Sequence, residues 1–114
     1  MGSLRNHIES ELKLASDFRK QGDLASAFRH LERAHVLGQS LTVDHTRIHW
    51  RMLMLGLRMR SPREIWGQLI RIVGAATKTP LGIYPKGNTG GANVWFFKPM
   101  PVEKDLAEIL DSAK

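Results

Sequence analysis

The sequence predicts an all-α fold: two stacked antiparallel helical hairpins, then a long irregular loop and a short C-terminal helix. Three observations predict it. Apolar residues recur at every third or fourth position through the first two thirds of the chain. Glycines and a serine–proline pair interrupt that pattern at helix-length intervals. The composition then shifts at Thr77 to a Gly-, Pro- and Asn-rich tract with no helical period. A chain of 114 residues supports one core, so a single domain is expected over 1–114. Within it, 4–76 form the four-helix part, 77–101 a loop packed on the helices, and 102–113 the last helix.

The first helix carries Leu4, Ile8, Leu12 and Ala15 on one face, widened by Leu14 and Phe18. Gly22 ends it and Asp23 offers an N-cap to the next. That second helix presents Leu24, Ala27, Phe28, Leu31 and Ala34, with His35 on the same face, and closes at Gly38. Thr42 is the expected cap of a third helix whose inner face is His45, Ile48, Met52, Leu55 and Met59. Ser61-Pro62-Arg63-Glu64 combines a capping serine, proline at the first helical position and glutamate three residues after the cap. It opens a fourth helix carrying Ile65, Trp66, Leu69, Ile70 and Val73. Val94-Trp95-Phe96-Phe97 should pin the loop across the helices, because an irregular tract this long is otherwise unusual in a small domain. Leu106, Ile109 and Leu110 give the last helix its apolar side.

Composition removes several classes of function. The chain has no cysteine, which excludes disulfide frameworks, thiolate metal sites and cysteine nucleophiles. No apolar stretch approaches a membrane span and no secretory signal is legible, so the expected compartment is the cytoplasm. The net charge of +6 leaves anionic partners open. Arg47, Arg51 and Arg58 form a helical stripe, yet no base-reading module surrounds them, which disfavours nucleic acid.

One constellation carries chemistry. Glu32 and His35 lie three apart near the end of the second helix; His45 and His49 lie four apart near the start of the third. Both spacings place the pair on one helix face. The connection around Gly38-Gln39-Ser40 is short, so the helices should run antiparallel and the four side chains meet across the hairpin. Three imidazoles and a carboxylate suit a divalent Zn, Ni, Co or Cu ion. The competing reading is two core histidines, an exposed third, and a glutamate paired with Arg29 or Arg33. Glu32-Arg33-Ala34-His35 also has the Glu-x-x-His spacing of carboxylate-bridged di-iron sites, but a second such pair is missing. His7 and Glu11 could supplement the ligand set, although a surface role is commoner for each. Gly87-Asn88-Thr89-Gly90-Gly91 reads as a turn more readily than as an anion-binding nest, since it follows no strand. Met52 and Met59 at helical spacing read as core filling rather than a copper(I) site.

Gly22-Asp23-Leu24-Ala25-Ser26-Ala27-Phe28, followed by Leu31-Glu32-Arg33-Ala34, resembles the second half of a single tetratricopeptide repeat. Two longer strings, 28–39 and 71–79 with Leu81-Gly82 and 87–94, are similar to a family of short bacterial proteins classed only as a domain of unknown function. Members are often encoded near heavy-metal resistance genes. The resemblance implies a small helical protein and favours metal handling, with no assigned site. The expected function is therefore binding of a divalent transition metal at Glu32, His35, His45 and His49, to sense, buffer or sequester it; no catalytic arrangement is legible. The alternative is a tetratricopeptide-like interaction module without metal, contacting a protein through Arg47, Arg51, Arg58, Trp95 and Phe96.

Overall fold

Helix punctuation written in the sequence sets the architecture. In the computed structural model, which describes residues 2–78, 86–92 and 99–113, five helices follow one another. They are α1 (Gly2–Lys20), α2 (Leu24–Gly38), α3 (Thr42–Arg58), α4 (Pro62–Lys78) and α5 (Lys104–Ser112). There is no strand among the described residues. Helices α1 and α2 form one hairpin and α3 and α4 a second; α2 packs on α3, and α5 lies against α1 and α2.

The first turn shows why the chain reverses where it does. Gly22 takes φ +82°, a conformation open to glycine without steric cost. It lets the Gly22 and Asp23 amides donate to the carbonyls of Arg19 and Phe18, both at 3.0 Å, so the last carbonyls of α1 keep partners. Asp23 then caps α2, its carboxylate accepting from the Ser26 amide at 3.1 Å. This closure brings Leu4, Ile8, Leu12 and Ala15 of α1 against Ala27, Leu31, Ala34 and Leu37 of α2. Ile48, Met52 and Leu55 of α3 and Leu106 of α5 complete the core. Of the inner face expected for α3, only Met59 departs: it is exposed at the helix end.

Two boundaries are corrected. Leu41, not Thr42, occupies the cap position of α3, and it makes no side-chain cap; the His45 amide instead reaches the Leu41 carbonyl at 2.7 Å. The last helix begins at Lys104 rather than at 102. The Ser61 cap holds, its hydroxyl accepting from the Glu64 amide at 3.2 Å. The Glu64 side chain, however, does not complete a capping box by reaching back to its own cap; it turns toward the site described below. In α4 the apolar residues Trp66, Leu69, Ile70 and Val73 face outward, while Glu64, Gln68 and Ala75 are buried. The Val94-Trp95-Phe96-Phe97 tract lies outside the described residues.

Candidate metal centre

The link between α2 and α3 is only three residues, 39–41, and the Leu41 amide closes it by donating to the Gly38 carbonyl at 3.0 Å. His35 sits one turn before this bend, and His45 and His49 sit on successive turns after it. The hairpin therefore brings the Nε2 edges of the three imidazoles together, with ring planes inclined by 40–71°. The Nε2 atoms of His35 and His49 are 3.0 Å apart, those of His35 and His45 3.0 Å, and those of His45 and His49 3.1 Å. All three rings are buried, with 3%, 6% and 3% of His35, His45 and His49 exposed.

The far nitrogens decide which tautomers are present. His35 Nδ1 lies 2.6 Å from the Asn88 carbonyl, which can only accept, so this nitrogen carries the proton and Nε2 keeps its lone pair. His49 Nδ1 lies 2.6 Å from Gln68 Oε1. The orientation of that amide is fixed at its other end, where Gln68 Nε2 donates to the Gly90 carbonyl at 2.7 Å and to Glu64 Oε2. Two acceptors on one side leave only the oxygen for His49, which must donate from Nδ1. Two bare nitrogen lone pairs consequently meet across 3.0 Å inside the protein.

The supports come from elements distant in sequence. Segment 86–92 runs as a strap against the end of α2 and against α4. The Gly87 amide donates to Gln39 Oε1 at 3.1 Å, the Gly90 amide to Asn88 Oδ1 at 2.8 Å, and the Ala92 amide to both Glu64 oxygens at 3.1 Å. Gly90 takes φ +87°, and a Cβ there would stand 2.6 Å from His35 Cδ2. The Gly/Asn-rich composition thus has a cause: the strap backbone must pass flat against an imidazole while its carbonyls receive protons from His35 and Gln68.

Burial holds all three imidazoles in the neutral form. It is the largest influence at each, depressing His35 well below its ordinary range, His45 to about 4 and His49 to about 3. The neighbouring imidazoles and Arg71 push His35 and His49 further down, against the opposing hydrogen bonds to Asn88 and Gln68.

The group of metal-capable donors within 4.8 Å of one another is His35, His45 and His49. Glu32 is not part of that group. It is half-buried one turn before His35, and burial raises its carboxyl above the ordinary range while Arg29 and a hydrogen bond with Thr89 hold it down. His7 is exposed. Glu11 is buried but engaged elsewhere, with His30 Nδ1 at 2.7 Å and Arg33 Nε at 3.1 Å. Sequence reasoning missed Gln68, Glu64, Gln39 and Asn88. The only available signal was the pairing of Glu64 and Gln68 four apart on one side of α4, opposite its apolar residues.

Chemically, three converging neutral imidazoles form a preorganised set for an ion that accepts nitrogen donors. The protons fixed on Nδ1 of His35 and His49 bind the Asn88 carbonyl and Gln68 Oε1, which holds each ring in one orientation with its Nε2 lone pair inward. Comparison with family models matches residues 2–110 to the family described as "Protein of unknown function (DUF3703)". The chain belongs to this family. Membership supplies no activity and no ligand for DUF3703 proteins, so the chemistry rests on the histidines themselves. Comparison with curated proteins and with solved structures finds no match. Among the described residues, no helix is long and apolar enough to cross a membrane.

Proposed function

We propose that the protein binds one divalent transition-metal ion through Nε2 of His35, His45 and His49. Its role would be to sense, buffer or sequester that metal in heavy-metal resistance. The observation that carries the reading is the pair of lone pairs of His35 and His49 facing each other at 3.0 Å with no proton between them. Lone pairs at this distance repel unless a positive group lies between them: a metal ion, or the N–H of His45 when that ring carries its proton on Nε2. His35, His45 and His49 would hold the ion through Nε2, and the ion would take the place of a positive charge between their lone pairs. Three protein donors would leave further coordination for water or for Glu32, which would have to release Thr89 to join them. Zn, Ni, Co and Cu all accept such a set.

Calorimetric titration of tag-free, metal-stripped protein tests the proposal. One ion per chain is expected, and a His35→Ala/His49→Ala double variant should lose it. Equal binding by that variant would remove the site from consideration. Glu32→Gln separates the ligand question from the site: unchanged stoichiometry with weaker affinity makes Glu32 a ligand, and unchanged affinity leaves the position to water.

A further inference from the structure

Arg5, Arg29, Arg33 and Arg47 each face a carboxylate: Asp44, Glu103, Glu11 with Glu103 and Asp105, and Glu9. Arg19, Arg51 and Arg58 make no such pair among the described residues. Instead all three line one groove of about 380 Å³ between α1, α2 and α3. Its floor is apolar, with Leu31 and Leu55, and its wall carries the exposed side chains of Trp50 and Met54. No acidic residue lines it. With no carboxylate in the lining, the charges of Arg19 and Arg51 oppose each other across the groove. Arg51 is partly buried, its charged form disfavoured first by that burial and then by Arg47 and Arg19, with Glu9 opposing. Glu9 is itself engaged with Arg47 at 2.6 Å.

We infer that this groove is a binding site for a phosphorylated aromatic small molecule of about nucleotide size. The phosphate sits among Arg19, Arg51 and Arg58, and the ring lies against Trp50. Guanidinium forks match phosphate oxygens, and a dianion offsets the repulsion better than a single carboxylate does. The indole offers a flat apolar face to an aromatic body. The groove lies at the small-molecule end of the size scale, about 300–1,000 Å³. It shares no lining residue with the histidine centre or its supports, so the inference stands independently of metal binding.

Adenosine monophosphate, adenosine and inorganic phosphate serve as separate calorimetric probes of the full chain in about 0.15 M salt, where loose surface attraction is screened. The nucleotide should bind one to one and about tenfold or more tighter than either fragment. Arg58→Ala and Trp50→Ala, both at exposed positions, should each weaken it about tenfold, and Arg63→Ala, outside the groove, should not. Circular dichroism verifies that the variants are folded. The inference is overturned if the nucleotide produces no saturable heat, or if it binds Arg58→Ala as well as the parent chain. A single-stranded oligoadenylate binding about a hundredfold tighter than the mononucleotide would also overturn it, assigning the groove to nucleic acid instead.

Discussion

Gly90 shows how one backbone atom governs the centre. Its φ of +87° and the 2.6 Å approach of a notional Cβ to His35 Cδ2 mean that a methyl group there must push the strap off the imidazole or turn the ring. Gly90→Ala should therefore cost about 1–3 kcal/mol of stability and abolish metal binding. Thermal melts with and without added metal check both, and an unchanged melting temperature would show that the strap does not press on His35. Gln68 acts more gently. Removing its amide in Gln68→Ala leaves the His49 Nδ1 proton without its acceptor, and metal affinity should fall about 10–100-fold. Competition with a chromophoric chelator measures it. These two residues also mark where the sequence stopped being readable. The histidines were visible because their spacing and the short bend place them together whatever else the chain does. Gln68 and Gly90 touch them through contacts spanning 19 and more positions, and no local pattern encodes such a contact.

Among the elements, α4 is where helical period and tertiary chemistry disagree. Periodicity marks Trp66, Leu69, Ile70 and Val73 as the natural core face, yet these are exposed and the opposite side carries buried Glu64 and Gln68. Hydrogen bonding to His49, Gly90 and Ala92 satisfies those polar groups inside, which the hydrophobic pattern alone has no means to indicate. Helices α1, α2 and most of α3 were legible for the converse reason: their inner faces are apolar and their stops are chemical, at Gly22 and Ser61. The α3–α4 turn carries a strained position. Arg60 stands at φ 54° and its neighbour Ser61 closes the helix by donating to the Gly56 carbonyl at 3.1 Å. Glycine adopts this conformation freely, so Arg60→Gly should stabilise the fold by about 1 kcal/mol, read as a rise of a few degrees in melting temperature. Arg33 is the opposite case, with three partners in two parts of the chain: Glu11 on α1, and Glu103 and Asp105 at the start of α5. Arg33→Ala leaves those carboxylates facing one another and should cost about 2–3 kcal/mol, with amide exchange rising first in α5.

Across the whole molecule, three neutral histidines packed into the junction of the two hairpins couple folding to protons. In the unfolded chain each imidazole takes a proton near pH 6.5. In the folded chain His45 resists to about 4 and His49 to about 3, and His35 is also held well below its ordinary range. Folded pKa values below unfolded ones mean that stability is complete above pH 6.5. It is lost as the pH falls toward the folded values, since only the unfolded chain binds protons in that window. His45 and His49 each contribute a slope of about 1.4 kcal/mol per pH unit, so about 4 kcal/mol is gone by pH 5, and His35 adds to the loss in the same direction. Against a typical total of about 5–15 kcal/mol, the metal-free protein should unfold at mildly acidic pH. A bound ion occupies the same nitrogens and stabilises only the folded chain, so it should move the acid midpoint downward with increasing metal concentration. Urea melts of chelator-treated and metal-loaded protein at pH 7.5, 6 and 5 distinguish these states. Stability that stays flat across this range without metal would mean that the imidazoles accept protons at no cost, which is incompatible with three rings sealed against one another beneath the strap.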